Sequence, residues 1–200
     1  MTIKRLGTMT LAALTMFALV TGTEAHGDDK GKVDKEKQAV KQAKLDSQRA
    51  QIDAMARESL ERLMNENPEA RTIQEKSYGY AVFDTTKVAL GLSGGGGAGV
   101  AVSKNDRIYM RMATAGVGLG AGAQNYQVIL FFDDKAAFDY FLSEGWNAEA
   151  SADAGAGDRG TGSIGTTARG ITIFKLSDVG LMANMDLSGT RFWKADDLNQ

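Results

Sequence analysis

From Val33 to about Glu66 the apolar residues recur at helical spacing. Leu45, Ile52, Ala56, Leu60 and Leu63 fall near one face, with Met55 and Met64 beside it, in a stretch of alanine, leucine, glutamine and charge without glycine or proline. This pattern predicts one long amphipathic helix or two abutting ones. Before Leu45 the apolar positions thin to Val33, Ala39, Val40 and Ala43, so the first half is expected to be solvated and the second half docked. The segment NENPEAR at 65–71 stops the pattern, and Asn67 is placed to cap a short following helix with Pro68 at its first position.

From Tyr78 the period changes. YGYAVF, KVALGL, GAGVAV, RIYMRMA, GVGLGAGA and YQVILFF are short runs of strand character, separated by turn signals such as Asp84-Thr85-Thr86 and Lys104-Asn105-Asp106. DDKAAFDYFLSEGW at 133–146 reads as a helix capped by Asp133 or Asp134 and ended by Gly145, with Ala137, Phe138, Phe141 and Leu142 as its buried stripe. Residues 147–170 are small and polar, a long loop or weak strands with loops between. ITIFKL, GLMANMDLSG and TRFWKA follow. In the second, Leu181, Ala183, Met185 and Leu187 alternate with Met182, Asn184, Asp186 and Ser188, the pattern of a half-buried strand. The expected fold class is α+β: an antiparallel, barrel-like β structure of short glycine-rich strands packed with helices on one side or end, preceded by a long N-terminal helix.

The chain has 24 glycines and one proline. Two clusters stand out, SGGGGAGVAV at 93–102 and ATAGVGLGAGAQ at 113–124. Gly94–Gly99 satisfies G-x-G-x-x-G, but VAVSKNDR follows instead of a helix and no acidic residue lies about 20 positions on, so a dinucleotide cradle is excluded. Gly99 is followed by Val100, which excludes a Gly-Lys-Ser/Thr phosphate loop. Read as a strand, 113–124 puts Val117, Leu119, Ala121 and Ala123 on one face and only Gly116, Gly118, Gly120 and Gly122 on the other. Glycine in a strand costs roughly 0.5–1 kcal/mol relative to alanine, so four in register imply close approach of something bulky or strong sheet curvature at a barrel corner. A helix of the protein itself, 45–64 or 133–146, is the expected occupant; an acyl chain is the alternative.

The first 25 residues carry Lys4 and Arg5, then the apolar LAALTMFALV, then Thr23-Glu24-Ala25 with small residues at −3 and −1. This is the pattern of a secretory signal peptide, with cleavage near Ala25, a mature start near His26 and a periplasmic or secreted destination. The expected division is 1–25 signal peptide, 26–66 polar leader and long helix, and 67–200 globular domain. The mature chain keeps 21 basic and 24 acidic residues, a poor balance for nucleic-acid binding.

There are no cysteines and one histidine, His26. That excludes disulfides, thiol chemistry and cysteine-based zinc sites, and leaves no histidine in the globular part for a Ser-His-Asp triad. No catalytic residue, metal site or cofactor is expected. Asp153 and Asp158 in the 147–170 region define a weak third reading, a carboxylate-dependent hydrolase.

Basic residues gather ahead of the domain. Lys30, Lys32, Lys35, Lys37, Lys41, Lys44 and Arg49 stand against Asp34, Glu36 and Asp46, and Lys37, Lys41 and Lys44 follow at i, i+4, i+7. A face of this kind attracts anionic lipid headgroups at about 1 kcal/mol per cation. No bulky apolar stripe accompanies these lysines, which argues against deep insertion.

In order and spacing, YGYAVFDTTKVALGLSGGGGAGVAV, ATAGVGLGAGAQNYQVILFF, FDYFLSEGW and ITIFKLSDVGLMANMDLSGT resemble the SYLF-domain family, over about residues 68–195. That family includes exported bacterial proteins and eukaryotic lipid-binding proteins, among them yeast actin-patch regulators. The resemblance implies phospholipid binding without enzymatic activity. The resulting expectation is an exported, non-enzymatic protein that contacts anionic phospholipid or the membrane surface through Lys37, Lys41 and Lys44, helped by Arg159 and Arg169. The alternative is a structural or protein-binding module of the cell envelope.

Overall fold

The computed structural model describes residues 29–143, 166–177, 180–181 and 189–200. Two compact units divide after Ala39, the second being Val40–Gln200. Helix α1 runs Asp29–Glu66 and α2 runs Pro68–Lys76. The Asn67 side chain accepts a hydrogen bond from the Glu69 amide at 2.9 Å, the cap that the sequence announces. Ile52, Ala56, Leu60, Leu63 and Met64 are buried, and Leu45 and Met55 pack beside them. Val33 and Val40, ahead of that stripe, are exposed.

Two long strands dominate the sheet. β1 spans Gly79–Ser103 and β2 spans Arg107–Phe132, paired antiparallel along their whole length. The six short runs of the sequence are therefore one hairpin. Lys104–Asp106 is its turn, held by the Ser103 amide donating to the Asp106 carbonyl at 2.9 Å. Asp84–Thr86 is not a turn, because its residues are satisfied by pairing. Gln127 donates to Asp84 at 3.0 Å, and buried Thr85 donates to the Met112 sulfur at 2.9 Å. Helix α3, Lys135–Ser143, follows, then β3 Thr166–Ala168, β4 Ile171–Ser177, β5 Gly180–Leu181 and β6 Thr190–Lys194. The alternating segment 182–188 and the Gly145 stop lie outside the described residues.

The strand order is β1-β2-β4-β3, with β6 on β2 and β5 on β4, all antiparallel. No ladder among the described residues joins β3 back to β1. The α+β class holds, but the sheet is open, not barrel-like. What brings its ends together is β1 itself, which folds back so that its two halves approach backbone to backbone. A Cβ on Gly95 would lie 2.5 Å from the Thr86 carbonyl oxygen, and one on Gly79 would lie 2.6 Å from that of Val102. Cβ atoms on Gly97 and Gly99 would fall onto the carbonyls of Asp84 and Val82. Near the fold-back the register shifts, from Leu90 opposite Ala121 to Leu92 opposite Val117.

The expectation for 113–124 is corrected. A Cβ on Gly122 would meet nothing within 4 Å, and one on Gly116 would meet only the Ser93 hydroxyl, at 3.4 Å. No helix among the described residues covers these glycines. The close approach sits in the other cluster, 93–102, and its occupant is the strand's own backbone.

Helices cover both faces of the sheet, not one. On the inner face, Phe83, Phe132, Phe192, Met110 and Met112 pack against Ala137, Phe138 and Phe141 of α3. The rings meet edge-on or tilted, Phe83–Phe192 at 4.8 Å and Phe132–Phe141 at 5.1 Å between centroids. On the outer face, Val82, Val100, Ile129, Phe131 and Phe174 meet α1 and α2. Full burial contributes about 1.5–3 kcal/mol per large apolar side chain. The ion pairs among the described residues lie on partly exposed side chains, where each contributes about 0–1 kcal/mol. Apolar packing therefore outweighs the ion pairs.

Candidate functional site

The cations of α1 precede its docked stripe. Lys41 and Lys44 are both exposed: Lys41 falls near the azimuth of Ile52 and Leu63, about three and six turns ahead of them, and Lys44 lies about a quarter-turn round from that stripe. Among the described residues neither makes an ion pair. The acid that follows them on the helix, Asp46, is already engaged by Arg49 at 2.8 Å and by Gln42 at 3.1 Å. Lys37, in the first unit, is also exposed.

Arg49 has a different role from the lysines before it. Its guanidinium donates to the carbonyls of Leu198 at 2.8 Å and Gln200 at 2.9 Å, so it ties α1 to the segment after β6. Asn199 completes that junction. Its side-chain oxygen accepts from the Tyr109 amide at 2.9 Å, and its nitrogen donates to the carbonyls of Tyr109 and Ala195, both at 2.8 Å. The Tyr109 hydroxyl donates to Asp53 at 3.1 Å, and Arg107 pairs with the other Asp53 oxygen at 2.5 Å. Burial, then the Asp53 carboxylate, push the Tyr109 phenol above its ordinary pKa. These are structural contacts, and their donors are spent on the fold.

Arg169 is exposed at the turn between β3 and β4, with a left-handed φ of 51°. Its guanidinium lies 5.8 Å from the Tyr140 ring centroid and 3.4 Å from the Tyr140 hydroxyl. Arg159, Asp153 and Asp158 lie outside the described residues. Arg169 is thus placed on the β3–β4 turn, while Lys41 and Lys44 are exposed on α1 ahead of its docked turns. Among the described residues no three His, Cys, Asp or Glu side chains converge as a metal site. No helix among them is long and apolar enough to cross a membrane. A cleft of about 260 Å³ opens between the end of α2 and the hairpin turn, lined by Ser77, Tyr78, Tyr80, Val102, Ser103 and Lys104 among others. Lys37, Lys41, Lys44 and Arg169 do not line it.

Sequence reasoning passed over Val88, Leu90 and Leu92, which are exposed on one side of β1. Their alternation lies within KVALGL, which the sequence marks only as a run of strand character. The available signal was the lack of charge around them: between residues 88 and 103 the chain has no ionisable side chain.

The molecule belongs to the class of α+β domains built on one long hairpin that folds back on itself, with a docked helix before it. Residues 113–200 match the Ysc84 family, described as "Las17-binding protein actin regulator", and this segment is a SYLF domain. The chain is also 36% identical over 154 residues to a protein named "Beta cell expansion factor A" from Aeromonas veronii, an alignment that takes in 76% of this chain. The aligned region spans 59% of that relative's length.

Proposed function

We propose that this protein is an exported, non-enzymatic lipid-associating protein that binds anionic membrane surfaces through the exposed lysines of α1. The observation that carries the reading is the state of Lys41 and Lys44. They are exposed and outside any ion pair among the described residues, on a helix whose following turns are anchored to the sheet. An anchored helix presents its cations without the entropy loss of ordering a free one. Lys37 extends the same spacing, and Arg159 and Arg169 add charge from the later part of the chain. The signal-peptide pattern of residues 1–25 supports a periplasmic or secreted destination. The absence of cysteine and the position of the lone His26 support binding without turnover.

Co-sedimentation with vesicles tests this. Binding to phosphatidylcholine vesicles containing phosphatidylglycerol is expected to exceed binding to phosphatidylcholine alone and to fall with salt. Lys37→Glu, Lys41→Glu and Lys44→Glu together are expected to weaken it about tenfold or more. Failure to sediment with either vesicle sinks the reading, and unchanged binding by the triple variant sinks the site. The description of the matching family as Las17-binding favours a second reading, an envelope protein partner. A pull-down that recovers one stoichiometric partner, with no vesicle binding, would select it.

A further inference from the structure

On the outer face of the sheet, even-numbered residues of β1 stand beside odd-numbered residues of β2 and β6. Ala98 pairs with Arg111, and Arg111 with Trp193; Gly96 pairs with Ala113, and Ala113 with Arg191; Leu90 pairs with Ala121, and Val88 with Ala123. One end of this face, at Val100 and Tyr109, is closed by α1 and the segment after β6. From Gly96 to Val88 it is open. Leu90 is 79% exposed, Leu92 75% and Val88 54%. Cβ atoms on Gly94 and Gly96 would meet only carbonyls of the neighbouring β2, at 3.9 Å and 3.5 Å, so among the described residues no other element lies over them.

The borders of this face are chemically distinct. Beyond Val88 the face turns polar, with Thr86 bonded to Asn125 and Asp84 to Gln127. At the opposite end Trp193 and Arg191 are exposed, next to Arg111, which pairs with Asp197. Within residues 85–103 and 112–132 the one charged side chain is the cation of Lys87.

We propose that this face lies on an anionic bilayer. Val88, Leu90 and Leu92 enter the boundary between headgroups and acyl chains, and Trp193 and Arg191 rest among the headgroups. The proposal rests on the membrane-surface reading above and names a second part of the molecule that touches lipid. The borders favour lipid: a charge-free aliphatic face that ends in tryptophan and arginine matches the layering of a bilayer, apolar below and anionic at the surface. The exposed aliphatic area is on the order of 400 Å², about half the 800 Å² per partner of a stable protein interface. Insertion is shallow for a physical reason. Among the described residues β1 is paired along one edge, and the amides and carbonyls of its other edge would be stranded in hydrocarbon. The contact therefore stops about 5–10 Å into the boundary layer.

Because the chain has no cysteine, one introduced cysteine can carry a polarity-sensitive fluorophore at a chosen position. Labelled Leu90→Cys and Leu92→Cys proteins are expected to shift to the blue on adding phosphatidylcholine–phosphatidylglycerol vesicles, and to be quenched by a quencher placed high on the acyl chain. Label at Lys104→Cys, on the hairpin turn, is expected not to respond. Leu90→Gln with Leu92→Gln should weaken vesicle partitioning about tenfold or more. If the Leu90 label stays aqueous while the protein sediments with those vesicles, this face is not the contact and the lysine reading survives. If the protein does not sediment at all, both readings fall. A blue shift that grows with protein concentration in the absence of vesicles would make the face a contact between copies and overturn the proposal.

Discussion

Gly97 lies directly against the main-chain carbonyl of Asp84, a residue of the same strand, with no room between them for a side chain. Gly95 and Gly99 repeat the contact against Thr86 and Val82. Only hydrogen fits, so these glycines set how tightly the hairpin can fold back. Their unfavourable strand propensity is offset by the inner core that the fold-back encloses.

Gly97→Ala is therefore expected to destabilise the protein by about 2–3 kcal/mol, the cost of forcing a methyl group into packed backbone. Gly122→Ala, where a Cβ meets open space, is expected to be neutral or to stabilise by about 0.5–1 kcal/mol. Urea unfolding of the two variants checks the contrast, and equal effects would contradict the fold-back geometry.

Asn199→Ala removes three hydrogen bonds and leaves the Tyr109 amide and carbonyl without those partners. A loss of about 2 kcal/mol is expected. Because the junction also holds α1 through Arg49, hydrogen exchange should quicken in α1 between Arg49 and Ala56 more than in α3.

The alkaline limb of stability has a defined direction. Tyr109 and Tyr126 both have pKa values raised above the ordinary 10.0 in the folded state, with burial as the leading cause. Each favours the folded state in full below the unfolded value of about 10, and that contribution is lost as pH rises through the higher folded value. The melting temperature is expected to hold to about pH 9.5 and then fall. Tyr109→Phe should make the fall shallower; an unchanged alkaline slope would remove Tyr109 from the account.

The sequence allowed either Asp133 or Asp134 to cap α3. In the structure Asp134 accepts from the Ala137 amide at 2.8 Å. Asp134→Ala should cost about 1 kcal/mol and Asp133→Ala less than about 0.5 kcal/mol, measured side by side by thermal unfolding.

What was legible in the sequence was local. The stripe from Ile52 to Leu63, the caps at Asn67 and Asp134 and the buried face of α3 depend on neighbours a few positions away, and all stand where their spacing puts them. What was not legible depends on distant partners. Asp84-Thr85-Thr86 has turn composition, but Gln127 and Met112, far along the chain, hold it extended. Composition marks both glycine clusters equally, and only the folded-back backbone tells Gly97 from Gly122. For the candidate site, the exposure of Lys41 and Lys44 followed from the thinning of apolar positions before Leu45. The alignment of Leu90, Gly96, Arg191 and Trp193 along one face required the pairing of three strands.

The register change at the fold-back carries one more consequence. Between the pairs Leu90–Ala121 and Leu92–Val117, β1 advances two residues while β2 advances four. Both counts are even, so every side chain beyond the shift keeps its face: Met110 and Met112 point to the same core as Val128 and Leu130. One residue added on β2 at this point would exchange core for surface along half a strand, while two would leave the molecule intact. The fold-back obeys a rule of parity, and the domain can change length there only in pairs.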